Sequence, residues 1–185
     1  MSSHHIIREN QEPALVLLTK IREEIFNQLL EWSPKVYCDS KQLEWVIDKG
    51  FKIDAIIGSE SSKNASLKKM EYQMPIDYIS FKNSWTEILH KISNHTIHIA
   101  SNINFNIGDL KSSSEIIRYS DDFKEYSLKG EWRKWKNQGD QIELSSEPEE
   151  MLNLEKANSS FMVPKDGIVK IKTLKTILIK EFFAL

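Results

Sequence analysis

Hydrophobic positions divide the chain into two unlike stretches. In the first, short apolar runs alternate with helical patterns. Ala14-Leu15-Val16-Leu17-Leu18 is a continuous apolar run after Pro13, as expected of a strand buried on both faces of a parallel sheet. Ile21, Ile25, Leu29 and Leu30 recur at helical spacing among Arg22, Glu23 and Glu24, and Ser33-Pro34 ends that amphipathic helix. Val36-Tyr37-Cys38 predicts a second strand, closed by Asp39. Leu43, Val46 and Ile47 line a second helix that Gly50 caps. Residues 53–57 predict a third strand, and 59–64 a polar loop. A fourth strand at 76–81, a helix carrying Trp85, Ile88, Leu89 and Ile92, and a fifth strand at 97–100 complete the alternation.

After about Ser114 the pattern changes to short β-rich runs at 116–119, 126–128, 132–135, 142–144, 161–163, 168–171 and 177–179. Asn137-Gln138-Gly139-Asp140 and Lys165-Asp166-Gly167 supply turns. The fold class is therefore α/β: a parallel-sheet N-terminal domain over residues 1–113, then a small all-β sandwich domain over 114–185, joined near the polar Lys111-Ser112-Ser113-Ser114.

Composition removes several classes of function. The 185 residues carry a net charge of −2, so no basic field invites nucleic acid or an anionic membrane surface. The longest apolar runs are far too short to span a bilayer, and residues 1–13 lack an apolar signal core. The single cysteine, Cys38, suits a reducing compartment, and the expected location is the cytoplasm.

Chemistry is sparse. Neither a phosphate-cradling glycine loop nor HExxH or CxxC spacing is present. His4-His5 reads as a terminal pair, and His95 and His98 as ordinary strand residues. Cys38 has no activating cation nearby in sequence and reads as an inert thiol. Trp132 and Trp135, beside Arg133, Lys134 and Lys136, could stack on a heterocycle; aromatics at this spacing more often pack a core face or a dimer contact. Sheets of this kind bind ligands beyond the carboxyl ends of their strands. Those ends are Thr19-Lys20, Asp39-Ser40, Gly58-Ser59-Glu60, Phe81-Lys82-Asn83 and Ser101-Asn102. Asp39, Glu60 and Glu87 fall on or beside them. Singly each reads as a loop or helix-end acid; together they could converge on Mg²⁺ and phosphates.

Those residues carry a resemblance. Val36-Tyr37-Cys38-Asp39-Ser40 followed by Asp48-Lys49-Gly50-Phe51-Lys52-Ile53-Asp54-Ala55-Ile56-Ile57-Gly58 resembles the first half of the thiamine pyrophosphokinase catalytic domain. That family has a strand ending in Asp-Gly, a helix, and a second strand running into Asp-Phe-Asp-Ser. The opening residues 1–8 and 11–15 resemble a bacterial branch of it. Thr86-Glu87 stands where the family opens a helix with Thr-Asp. Trp132, Trp135, the Asp166-Gly167-Ile168-Val169 turn and the last apolar strand resemble that branch's C-terminal sandwich.

The resemblance implies pyrophosphoryl transfer from Mg-ATP to thiamine, giving thiamine diphosphate and AMP, by a homodimer. It places Asp39, Glu60 and Glu87 in catalytic roles, Asp39 and Glu87 on the metal, and Asp39, Ser59, Ser61 and Thr86 against the nucleotide. The pattern is degenerate. Asp-Phe-Asp-Ser has become Ser59-Glu60-Ser61-Ser62, so two metal-binding acids are serines. The family's Arg-x-Asp-His is absent from residues 101–109. Neutral hydroxyls are weak Mg²⁺ ligands. The expectation is a family member with reduced or lost catalysis; the alternatives are an enzyme with a rearranged metal site and a non-catalytic dimeric interaction protein.

Overall fold

The computed structural model describes residues 12–92, 94–110 and 114–183. The resembling segment 1–8, the His4-His5 pair and the boundary residues 111–113 lie outside them. The chain divides into two compact units. The first runs to Phe105 and takes in the strand at 115–119; the second holds 106–109 and the chain from Ser120 onward.

The first unit is a parallel sheet. Its strands are β1 (Ala14–Leu17), β2 (Lys35–Asp39), β3 (Ala55–Gly58), β4 (Asp77–Ser80), β5 (Thr96–Ala100) and β6 (Glu115–Tyr119). Parallel pairings place them in the order β6-β5-β1-β2-β3-β4. All four residues of β1 and all four of β3 are buried, as a sheet covered on both faces requires. Period-two alternation sends Ala14, Val16, Tyr37, Ala55, Ile57, Ile97 and Ile99 into one core with Ile88, Leu89 and Ile92. The alternate positions, among them Leu15, Leu17, Val36, Cys38 and Ile56, are buried on the opposite face. Helices α1 (Glu23–Leu30), α2 (Leu43–Asp48) and α3 (Lys63–Lys69) make the first three crossovers. Phe26 of α1, Trp45 of α2 and Phe51 form an aromatic triad with centroids 4.9–5.4 Å apart.

Three details differ from the sequence reading. The expected helix at 85–92 is a 3₁₀ turn, Trp85–Ile88, continued by hydrogen-bonded turns. Burying Ile88, Leu89 and Ile92 fixes the segment's apolar face without requiring a full helix. The expected polar loop at 59–64 contains a 3₁₀ turn, Glu60–Ser62, that runs into α3. That helix shows almost no apolar stripe, and its Lys, Ala and Leu content favours a helix by propensity alone. Strand β6, expected in the all-β part, pairs in parallel with β5.

The second unit is antiparallel. It comprises β7 (Phe123–Lys136), β8 (Gln141–Leu144), β9 (Glu150–Leu152), β10 (Glu155–Ala157), β11 (Ser160–Met162) and β12 (Gly167–Phe182). Runs read as separate strands fuse: 126–128 with 132–135, and 168–171 with 177–179. The two long strands pair along their length, with Gly130 at φ +96° and a register shift between Thr173 and Ile177. Inward residues of both halves of β12, Val169, Ile171, Ile177 and Ile179, share one core with Leu128, Ile142 and Val163. The turn at 137–140 forms as expected, with Gly139 at φ +87°.

Candidate functional site

In the first unit the chain fills one side of β1 through β4, then crosses to its other side with β5. The topological switch therefore lies between β1 and β5, where a doubly wound sheet ordinarily opens a ligand crevice. Here the two flanking loops are tied together. The amides of Leu18 and Thr19 donate to the Ala100 carbonyl at 3.0 and 3.4 Å. The Asn102 amide donates to Thr19 Oγ1 at 2.7 Å, and Asn102 Nδ2 donates to the Lys20 carbonyl at 3.0 Å. The loop after β5 is held from below by Arg118. Its guanidinium donates to the carbonyls of Ile103 (2.7 Å) and Phe105 (3.0 Å) and lies 4.6 Å from the Phe105 ring centroid. A phosphate chain entering between these loops would have to break that lacing.

The ends of β2, β3 and β4 carry a different arrangement. At Gly58 a Cβ would lie 2.4 Å from the Tyr78 hydroxyl and 2.9 Å from both Ser40 Oγ and Ser62 Oγ. Three hydroxyls, from the turns after β2 and β3 and from within β4, thus converge on one α-carbon. Tyr78 donates to the Ser59 carbonyl at 2.6 Å, and the single proton of Ser62 Oγ has two acceptors in reach, that carbonyl and the Tyr78 hydroxyl, each at 2.9 Å. Ser59 Oγ lies 2.9 Å from Ser61 Oγ. The result is a neutral, internally bonded hydroxyl cluster.

The three acids do not join it as a set. Asp39 ends β2 and caps the 3₁₀ turn Ser40–Gln42, its Oδ1 accepting from the Lys41 amide at 2.8 Å. Half-burial raises its carboxyl above the ordinary range, against the Lys41 amide and charge. Glu60 is solvent-exposed, with Lys63 Nζ 3.8 Å away. Glu87 accepts from the amides of Lys82 and Asn83, both at 3.2 Å, and the Lys82 bond leads in holding its carboxyl low. Its oxygens brace the loop after β4. Thr86 is likewise occupied, donating to Ser84 Oγ at 2.9 Å. Among the described residues no group of three His, Cys, Asp or Glu could hold a metal ion. This donor set does not fit a magnesium triphosphate, which needs converging carboxylates to balance the ion's charge.

Elsewhere, Cys38 is fully buried, and burial, then the Asp39 charge, push its thiol up. His98 is a half-buried strand residue whose pKa burial lowers. Trp132 packs on the core of the second unit, whereas Trp135 is exposed. Sequence reasoning placed Gly58 and Ser62 at the strand end without giving them a role, and missed Tyr78. Their signal was present in part: glycine at a strand end, followed by four polar residues. Among the described residues no helix is long and apolar enough to cross a membrane.

No family model matches the chain, and no curated protein sequence matches it. Solved structures do. Thiamine pyrophosphokinase from Bacillus subtilis superposes with a TM-score of 0.63 at 10% identity, over 95% of this chain and all of that one. Thiamin pyrophosphokinase from Candida albicans gives 0.61 at 11%, over 95% of this chain and 90% of that one. The yeast thiamin pyrophosphokinase gives 0.57 at 10%, over 97% and 88%. At these identities the likeness establishes a thiamine-pyrophosphokinase-like fold.

Proposed function

We propose that this chain is a degenerate thiamine pyrophosphokinase, of a bacterial branch, that no longer carries out Mg-ATP-dependent pyrophosphoryl transfer and persists as a cytoplasmic, homodimeric binding protein. Its ligand is thiamine or the adenine nucleotide, contacted at the strand ends through Asp39, Ser59, Ser61 and Thr86. One observation carries the reading. The edge that would cradle a metal-bound triphosphate holds the hydroxyls of Ser40, Ser59, Ser61, Ser62 and Tyr78, while Asp39, Glu60 and Glu87 are separately engaged or exposed. A neutral cluster lacks the charge to bind Mg²⁺ and the geometry to align an in-line displacement.

The test is incubation of the purified chain with Mg-ATP and thiamine, with AMP and thiamine diphosphate separated afterwards. An active kinase of the same fold serves as the control, and equilibrium dialysis against each ligand runs in parallel. Retained binding with no product is the expected result. Stoichiometric AMP and thiamine diphosphate, abolished in Asp39→Ala, would overturn the proposal and leave an enzyme with a rearranged acid set.

A further inference from the structure

The second unit carries charge where its own core pattern calls for hydrocarbon. Inward positions of β7 read Lys124, Tyr126, Leu128, then Trp132, Lys134 and Lys136. Those of β12 read Val169 and Ile171, then Ile177, Ile179 and Glu181. The aliphatic members form the core, and the charged ones gather together because β7 bends enough for both its halves to reach Glu181. Glu181 is 2% exposed. Its Oε1 lies 3.1 Å from Lys124 Nζ and accepts from the Tyr126 hydroxyl at 2.7 Å. Its Oε2 lies 2.8 Å from both Lys134 Nζ and Lys136 Nζ. A second acid, Asp140, approaches Lys136 at 3.7 Å.

A core-facing charged group costs stability that a packed apolar residue would not. Such breaks in an otherwise consistent pattern concentrate at functional sites. The imbalance here is directional: three ammonium groups face two carboxylates. Glu181 and Lys136 are buried, with side-chain exposures of 2% and 10%, and form a closed floor, while Lys134 at 40% and Lys124 at 24% are reachable above it. Burial, then the neighbouring Lys134, hold the Lys124 ammonium below its ordinary pKa, whereas at Lys134 burial is outweighed by the Glu181 carboxylate and the ammonium is held above it. Each ammonium has three N–H donors, and one or two are spent on the carboxylates.

We propose that Lys124, Lys134 and Lys136 form a binding site for a phosphate group, with Glu181 as the floor that holds the three ammonium groups in place. A tetrahedral oxyanion offers several acceptor oxygens to donors already gathered, and its charge relieves their mutual repulsion. The site is independent of the strand-end cluster and of the reading given to it.

The test is phosphate binding to the full chain by calorimetry at constant ionic strength, with chloride as the reference anion. Inorganic phosphate and glycerol 3-phosphate are the probes. Equal affinity for both identifies the free ion as sufficient; tighter binding of the ester identifies a phosphorylated organic ligand. Lys134→Gln, at the most exposed of the three, is expected to bind about tenfold more weakly, the loss of one charge-assisted hydrogen bond. Glu181→Gln keeps a hydrogen-bond acceptor on the floor while removing the competing charge, and is expected to bind several-fold more tightly. If that variant fails to fold, Lys134→Gln alone decides. Heat no different from chloride with both probes, or unchanged affinity in Lys134→Gln, would overturn the proposal.

Discussion

Adding a single methyl group at Gly58 tests the hydroxyl cluster directly. In Gly58→Ala the new Cβ meets the Tyr78 hydroxyl at 2.4 Å, where ordinary contact begins at 3.4 Å. Ser40 and Ser62 can turn their Oγ atoms away by rotation; a phenol has no such freedom, so Tyr78 must retreat by about 1 Å. Its bond to the Ser59 carbonyl then stretches from 2.6 Å to a length at which it is no longer a hydrogen bond, and the 2.9 Å contact with Ser62 is lost too. Two neutral hydrogen bonds at about 1 kcal/mol each give a cost of about 2 kcal/mol. Gly58 is not among the glycines with positive φ, so alanine also removes unfolded-state freedom and offsets about 0.5–1 kcal/mol. The net loss is about 1 kcal/mol. In a Tyr78→Phe background the colliding oxygen is gone, and the same alanine should stabilise by about 0.5–1 kcal/mol. The sign therefore reverses, and the double-mutant cycle carries a coupling of about 2 kcal/mol. Urea denaturation of the four proteins, read at constant m, measures it. Effects that add within about 0.5 kcal/mol would refute the convergence of Tyr78 on Gly58.

Two further predictions concern charge. Burial alone would raise the Glu181 carboxyl, but hydrogen bonds from Lys134 and Lys136, the Lys124 charge and the Tyr126 hydroxyl overcome it and bring it down to about 2. Against an ordinary value of about 4.5 this contributes about 3 kcal/mol, fully present above pH ~4.5 and lost as pH falls towards 2; an acid titration of urea midpoints should show that loss, and Glu181→Gln should flatten it. Arg118→Met removes the donors that hold the carbonyls of Ile103 and Phe105, so hydrogen exchange of the amides at 102–105 should accelerate by at least tenfold, whereas those of β1 and β2 should not. Uniform acceleration across the sheet would assign Arg118 a global role instead.

The sequence alone determined what period and propensity control. The fully apolar run 14–17 suited a strand covered on both faces, and the alternation that follows it pointed to a parallel sheet with crossovers. The turn at 137–140 was equally legible, because its glycine adopts a backbone conformation that side chains disfavour. The strand-end location of Asp39, Ser59 and Glu60 followed from the same pattern. What those groups do there did not follow, because it depends on contacts between loops far apart in the chain. Glu87 shared its sequence neighbourhood with a metal-site acid, yet its carboxylate is spent on two amides that a local pattern cannot assign. Tyr78 was an unremarked strand residue until the parallel pairing of β3 with β4 brought its hydroxyl over Gly58. The lacing of Thr19 to Asn102 joins residues 83 positions apart, and the Glu181 cluster joins two strands whose bending no short-range periodicity encodes. Local patterns specify which face a residue takes; only the closed tertiary structure specifies which polar groups meet there and which are left with charge to share.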